Sequence, residues 1–173
     1  MKLKLSEYAL IAEIISAFAI ILSLVFVGFQ LKDNAAATRS STANATTASM
    51  SSWYAGMGQS DQVSANFLNA MENPEGQTRE QWFQFVMNFH AFMLNVQNSY
   101  YLVEEGTLDL EIRDSLTAVI TAVKDLPGFR LYWKQRRAIF FPEFQSYIDS
   151  IIASEGMDSK GLYQNNRPQE DSP

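Results

Sequence analysis

Between Tyr8 and Leu31 the chain reads YALIAEIISAFAIILSLVFVGFQL, interrupted strongly only by Glu13 and Gln30. As a helix these residues span roughly 36 Å, more than the ~30 Å hydrocarbon core of a bilayer. The uncharged stretch from Ile14 to Phe29 is slightly short alone, which leaves Glu13 near one interface, where its carboxylate reaches headgroups or water. A soluble core helix this uniformly apolar does not suit a chain of 173 residues. The expectation is a tail over 1–7 and a single transmembrane helix over 8–31. The competing reading is a cleaved signal peptide, with Lys2 and Lys4 as its basic start and Ala35-Ala36-Ala37 as small residues for cleavage. The long apolar stretch, the long basic start and the early Glu13 favour a retained anchor. Lys2 and Lys4 at one end balance Lys32 and Arg39 at the other, so the positive-inside rule gives a tie.

One face of the segment carries Ala9, Ala12, Glu13, Ser16, Ala19 and Ser23. Small residues let helix backbones approach closely in lipid, where hydrophobicity alone gives no association. A carboxylate at the membrane edge marks function by default. One reading makes this a helix-packing face for a second copy or a partner membrane protein. The plainer reading is that Ala and Ser are tolerated there and Glu13 marks the interface.

The remainder, about 120 residues without the ends, suffices for one domain with a single core. Twelve Phe, seven Tyr and three Trp can fill it. A net charge of −6, with both signs spread along the chain, argues against a nucleic-acid partner. Absence of cysteine removes disulfides and thiolate chemistry.

Residues 32–58 look like a Ser/Thr/Ala linker, yet they hold no Pro, and no Gly before Gly56. Ala36, Ala43, Met50 and Met57 recur every seven residues, with Ser40, Thr47 and Tyr54 between them. That spacing predicts a helical connector with a small-residue seam; a flexible linker is the alternative. Asn44-Ala45-Thr46 matches a glycosylation acceptor, a pattern common by chance.

A helical domain is expected over 59–156. Ser60 to Met71 forms a short helix with Val63, Phe67, Leu68 and Met71 on one side, ended by Asn73-Pro74 and Gly76. Thr78 with Gln81 makes a capping-box pattern. The helix it opens has a stripe of Trp82, Phe85, Phe89, Phe92, Val96, Tyr100 and Val103, widened by Phe83, Met87, His90, Leu94 and Tyr101. Such a broad face marks a helix packed on two sides. Gly106 suits its C-terminal cap. Leu108 to Leu126 forms the next helix, with Ile112, Leu116, Val119, Ile120 and Val123 buried, and Pro127-Gly128 breaking it. A shorter helix turns Phe129, Tyr132, Trp133 and Phe140 inward. Pro142 opens the last helix, where Phe144, Tyr147, Ile148, Ile151 and Ile152 face the core until Gly156 ends it. Residues 157–173 are polar with two Pro and are expected to be disordered. No strand-like alternation occurs. The fold class is all-α: a transmembrane helix continuing into a small antiparallel helical bundle.

Chemistry is sparse. His90 is the sole histidine and lacks a Glu-x-x-His partner, so di-metal and zinc ligand sets fail on number. No nucleophile elbow, phosphate-binding loop or dinucleotide fingerprint exists. Glu104 and Glu105 are adjacent and read as solvated. No catalytic residue, cofactor or metal is expected. Arg130, Lys134, Arg136 and Arg137 form a basic cluster without an acid between Asp125 and Glu143. They read as a solvated face or, in a tethered domain, as contacts for anionic headgroups at about 1 kcal/mol each.

The motif order Phe29-Gln30-Leu31-Lys32-Asp33-Asn34, Asn98-Ser99-Tyr100-Tyr101, Gly106-Thr107-Leu108-Asp109, then Trp133, Arg137 and Phe141-Pro142-Glu143-Phe144 resembles a large family of uncharacterised bacterial proteins with one N-terminal membrane helix and a short helical domain. The similarity covers roughly Ala12 to Ile152. That family has no assigned activity, so it implies no catalytic residue. It implies the bacterial inner membrane and, from the Arg its members carry after the helix, a cytoplasmic domain; here only Lys32 and Arg39 remain. The expected function is a non-enzymatic, membrane-anchored interaction module whose partners are the bilayer and a second copy or another membrane protein. The alternatives are an exported helical domain enclosing a small apolar ligand or lipid among Trp82, Phe89 and Trp133, and a membrane-tethered hydrolase.

Overall fold

The computed structural model describes residues 4–154, and among them the only regular structure is helical. Six α-helices run in order: α1 Leu5–Met57, α2 Asp61–Glu72, α3 Arg79–Glu104, α4 Leu110–Val123, α5 Pro127–Arg136 and α6 Pro142–Ala153. Single 3-10 turns precede α3 (Pro74–Gly76) and α6 (Arg137–Ile139). Helix α6 stops at Ala153, short of the expected end at Gly156; Gly156 itself and the tail expected to be disordered, 157–173, lie outside the described residues. The chain divides into two units, Met1–Ser41 and Thr42–Pro173.

The first unit is a single helical segment. Residues 32–57 continue the same helix, so the connector is helical and not a loose linker. Every described residue from Lys4 to Ser41 is exposed.

The second unit is a helical bundle built on α3. Thr78 and Gln81 exchange side-chain and backbone hydrogen bonds at 3.2 and 2.9 Å, the capping box that starts α3. Its C-terminus closes on Gly106, at φ +69. The Thr107 and Gly106 amides donate to the carbonyls of Leu102 and Val103, satisfying two orphan acceptors. A side chain at that left-handed residue is strained by roughly 1–2 kcal/mol. Gly106→Ala should cost about that much, read as a lower thermal midpoint by circular dichroism.

The core is largely aromatic. Phe85, Phe89 and Phe92 of α3 are fully buried, and Phe89 meets Phe67 of α2 and Phe129 and Tyr132 of α5. Trp53 of α1 donates its indole N–H to the Asn88 carbonyl at 2.8 Å, and Ser49 donates to Asn95 at 2.6 Å. These pairings run α1 antiparallel to α3. Trp82 bonded to Gln135 and Phe89 stacked edge-on to Tyr132 make α5 antiparallel to α3 as well. By contrast α4 and α6 run parallel. Thr117 meets Tyr147 at one level, and Lys124 reaches the Ser154 carbonyl one level on.

Several local expectations need correction. In the connector, Ala36, Ser40, Thr47 and Tyr54 are exposed, whereas Thr46 and Met50 are buried and Trp53 packs on Phe67 and Phe92. The large Trp53 ring and its N–H set the buried face, not the small residues. On α3, Phe83, Met87, Leu94 and Tyr101 do not widen the core: all four are exposed, and Val86 and Met93 are buried instead. The neighbouring helices lie on that other side. Helix α4 is shorter than expected, because Leu108 is buried in the connection before it. On α2, Asn66 and Ala70 join Phe67 and Met71 inside, and Val63 and Leu68 are half-buried. Pro127 and Gly128 do not simply break a helix; they are the first residues of α5, and Gly128 is buried.

Candidate functional site

The first candidate is the apolar part of α1. Sixteen large apolar side chains between Leu5 and Leu31 are each at least 46% exposed. By length and composition this helix can cross a membrane; its most apolar 18-residue window has mean hydropathy 2.7 and is 0% buried. On the small face, Ser16 and Ser23 donate their hydroxyls to the carbonyls of Ala12 and Ala19, each at 2.8 Å. These back-bonds satisfy both hydroxyls inside the helix. Glu13 is left as the polar side chain of that face, beside Ala12, Ser16 and Ala19.

In the domain, the four basic positions do not act as one cluster. Arg130 pairs with Asp125 at 3.0 Å. Arg137 lies beyond the end of α5, in the 3-10 turn, and grips Asp149 with Nε and Nη2 at 2.9 and 2.6 Å. Trp133 donates to the same carboxylate at 2.8 Å, and Arg137 also bonds Gln145. Lys134 is exposed. Arg136 is half-buried and lines an open groove of about 660 Å³ with Arg79, Trp82 and Phe83. Two of the three guanidiniums are thus engaged by aspartates, and that of Arg137 ties the end of α5 to α6.

Asp149 shows the consequence for pH. Hydrogen bonding from Arg137, then from Trp133, holds its carboxyl below the usual aspartate range despite some desolvation. The folded state therefore keeps a carboxylate where the unfolded chain binds a proton. This contribution is complete above the unfolded value near ~4 and is lost as pH falls through the lower folded value. Asp149→Asn should flatten the acid limb of a stability–pH curve, measured by thermal melts between about pH 5 and pH 2.

His90 sits half-buried on α3, its Nδ1 2.8 Å from the Tyr132 hydroxyl and its ring 5.2 Å from Phe140. Burial, and then the Arg136 cation, lower its pKa and so favour the neutral imidazole. Burial raises the Tyr132 hydroxyl, which stays protonated. The pair serves packing, with one ring nitrogen satisfied by the core tyrosine. Trp82, Phe89 and Trp133 do not enclose a common space: Phe89 and Trp133 are buried in the packed core, and only Trp82 lines the open groove. A second groove of about 210 Å³ lies between Trp53, Tyr54, Met57, Phe67 and Leu68. Among the described residues no group of His, Asp and Glu side chains converges to hold a metal ion.

Sequence reasoning missed the Trp133–Asp149–Arg137 cluster and the burial of Lys124. Both depend on α6 returning alongside α4 and α5, and spacing along the chain carries no sign of that. No protein-family profile, curated protein or solved structure matches this chain.

Proposed function

We propose that this chain is a non-enzymatic interaction module held at a membrane by one helix, over residues 8–31. A single observation carries the reading: an apolar helical surface more than twenty residues long that no other described residue covers. Apolar area in water is unfavourable by about 25 cal/mol per Å², and lipid removes that cost without a protein partner. The internally bonded Ser16 and Ser23 suit the same environment. The unbroken helix through Ala35-Ala36-Ala37 supports retention of the segment over cleavage. The family resemblance of the motif order supports the bacterial inner membrane and a cytoplasmic domain. Arg136 and Lys134 remain as candidate contacts for anionic headgroups, Arg130 and Arg137 being engaged by aspartates.

The test is alkaline carbonate extraction of membranes carrying the full chain. Intact protein should stay in the pellet. Release of uncut protein into the supernatant would overturn the anchor. A C-terminal fluorescent-protein fusion should be bright and a C-terminal alkaline phosphatase fusion inactive; the reverse pattern would place the domain on the other side.

A further inference from the structure

We infer that the groove between the start of α3 and the end of α5 binds a small amphipathic monocarboxylate, its acid on Arg136 and its apolar body across Trp82 and Phe83. The inference rests on reading the domain as an interaction module and narrows one part of it. Arg136 serves a ligand in the groove, and Lys134 alone is left for headgroups. The groove has a volume of about 660 Å³. That lies within the roughly 300–1,000 Å³ usual for small-molecule sites. Its walls combine two aromatic rings with guanidinium and amide donors, the mixture that such sites use to hold a ligand and to orient it.

Unused donors select the ligand. Arg113, Arg130 and Arg137 each meet an aspartate. Arg79 and Arg136 meet no carboxylate among the described residues, and both line this groove. Arg136 is half-buried, so part of its hydration is lost with no protein acceptor in return. Gln135 adds a third donor. An indole N–H can only donate, so the Trp82 contact at 3.3 Å turns the Gln135 carbonyl oxygen toward Trp82. Its amide N–H groups then have no acceptor among the described residues. A carboxylate brings the two oxygens that these donors lack. Glu80 is the acid on the lining, exposed and in no ion pair among the described residues. Arg79 and Arg136 against Glu80 leave the lining at +1, which suits a monoanion better than a polyphosphate. Trp82 stacks on Phe85 at 5.1 Å, which makes its ring a fixed wall, and Phe83 is 61% exposed. A bare anion leaves both rings in water, whereas an apolar body covers them.

The probe is naphthoate, with naphthylmethanol as its uncharged counterpart, titrated by calorimetry into the full chain in phosphatidylcholine nanodiscs, with empty discs as the blank. If carbonate extraction releases the chain, the same titration is run in buffer, so failure of the anchor and failure of the site are read separately. Naphthoate should bind one-to-one and about tenfold tighter than the alcohol. Arg136→Gln should weaken it about tenfold, and Arg79→Gln about threefold. Phe83→Ala should weaken naphthoate and naphthylmethanol alike, by about threefold. Glu80→Gln removes the repelling charge and should tighten naphthoate by about twofold. Arg79, Glu80 and Phe83 are exposed, so their variants keep the test valid if Arg136→Gln does not fold. Neither inorganic phosphate nor glycerol phosphate, the headgroup chemistry of a bilayer, should displace naphthoate. Displacement by either would give the groove to a bare anion or a headgroup and overturn the inference. So would equal affinity for acid and alcohol, unchanged affinity in the folded arginine variants, or no binding above the blank.

Discussion

Ile21→Lys combined with Val25→Lys is expected to move the protein from the membrane pellet to the soluble or aggregated fraction. Ile14 to Phe29 contains eleven Leu, Ile, Val and Phe. At −0.3 to −0.6 kcal/mol each on an insertion scale they favour the membrane by roughly 3–7 kcal/mol. One lysine near the centre costs about 2.5–3.5 kcal/mol, which the segment can absorb by shifting or by the side chain reaching toward an interface. Two on the same face, four residues apart, cost about 5–7 kcal/mol and cancel the gain. The single variants should therefore stay membrane-bound and the double should not. Fractionation followed by carbonate extraction reads the result. An unchanged pellet fraction for the double variant would mean that something other than this segment holds the chain at the membrane.

The contrast between the two units shows what periodicity can and cannot tell. The long apolar helix was legible because continuous apolarity over a fixed length is written residue by residue. The helix ends were equally local: Thr78 with Gln81 and Pro142 at starts, and Gly106 at a stop, each act within their own turn of chain. Which face of a helix is buried is a different question. Phe83, Met87, Leu94 and Tyr101 are as apolar as Val86 and Met93, and the spacing along the chain assigns the first four to the core and passes over the other two. Only the placement of neighbouring helices divides them into a buried set and an exposed set. The basic cluster taught the same lesson. Arg130 and Arg137 read as free cations until Asp125 and Asp149 are brought to them. The two seryl back-bonds in the apolar helix were absent from the sequence reading, although an i−4 carbonyl is within reach of a helical serine.

Gly128→Ala is expected to destabilise the domain by about 3 kcal/mol, at the upper end of the ordinary cost of overpacking, and Gly128→Val to prevent its folding. A Cβ at this position would lie 2.2 Å from the Ala70 carbonyl oxygen and 2.6 Å from the Met71 Cα. Both are backbone atoms, so no side-chain rotation relieves the clash. Helix α5 would have to move away from α2, pulling Phe129 out of its contact with Phe89 and opening the core beneath it. A domain of this size has about 5–15 kcal/mol of stability in all, so the loss is a large share. The control is Gly56→Ala, at a helical glycine with nothing within 4 Å of the added atom. There the methyl only reduces the freedom of the unfolded chain and should stabilise by up to about 1 kcal/mol. Two alanines of opposite sign, measured as thermal midpoints of the full chain in one detergent, separate close helix approach from a generic dislike of glycine replacement. Equal effects at the two positions would mean that α2 and α5 do not meet at Gly128.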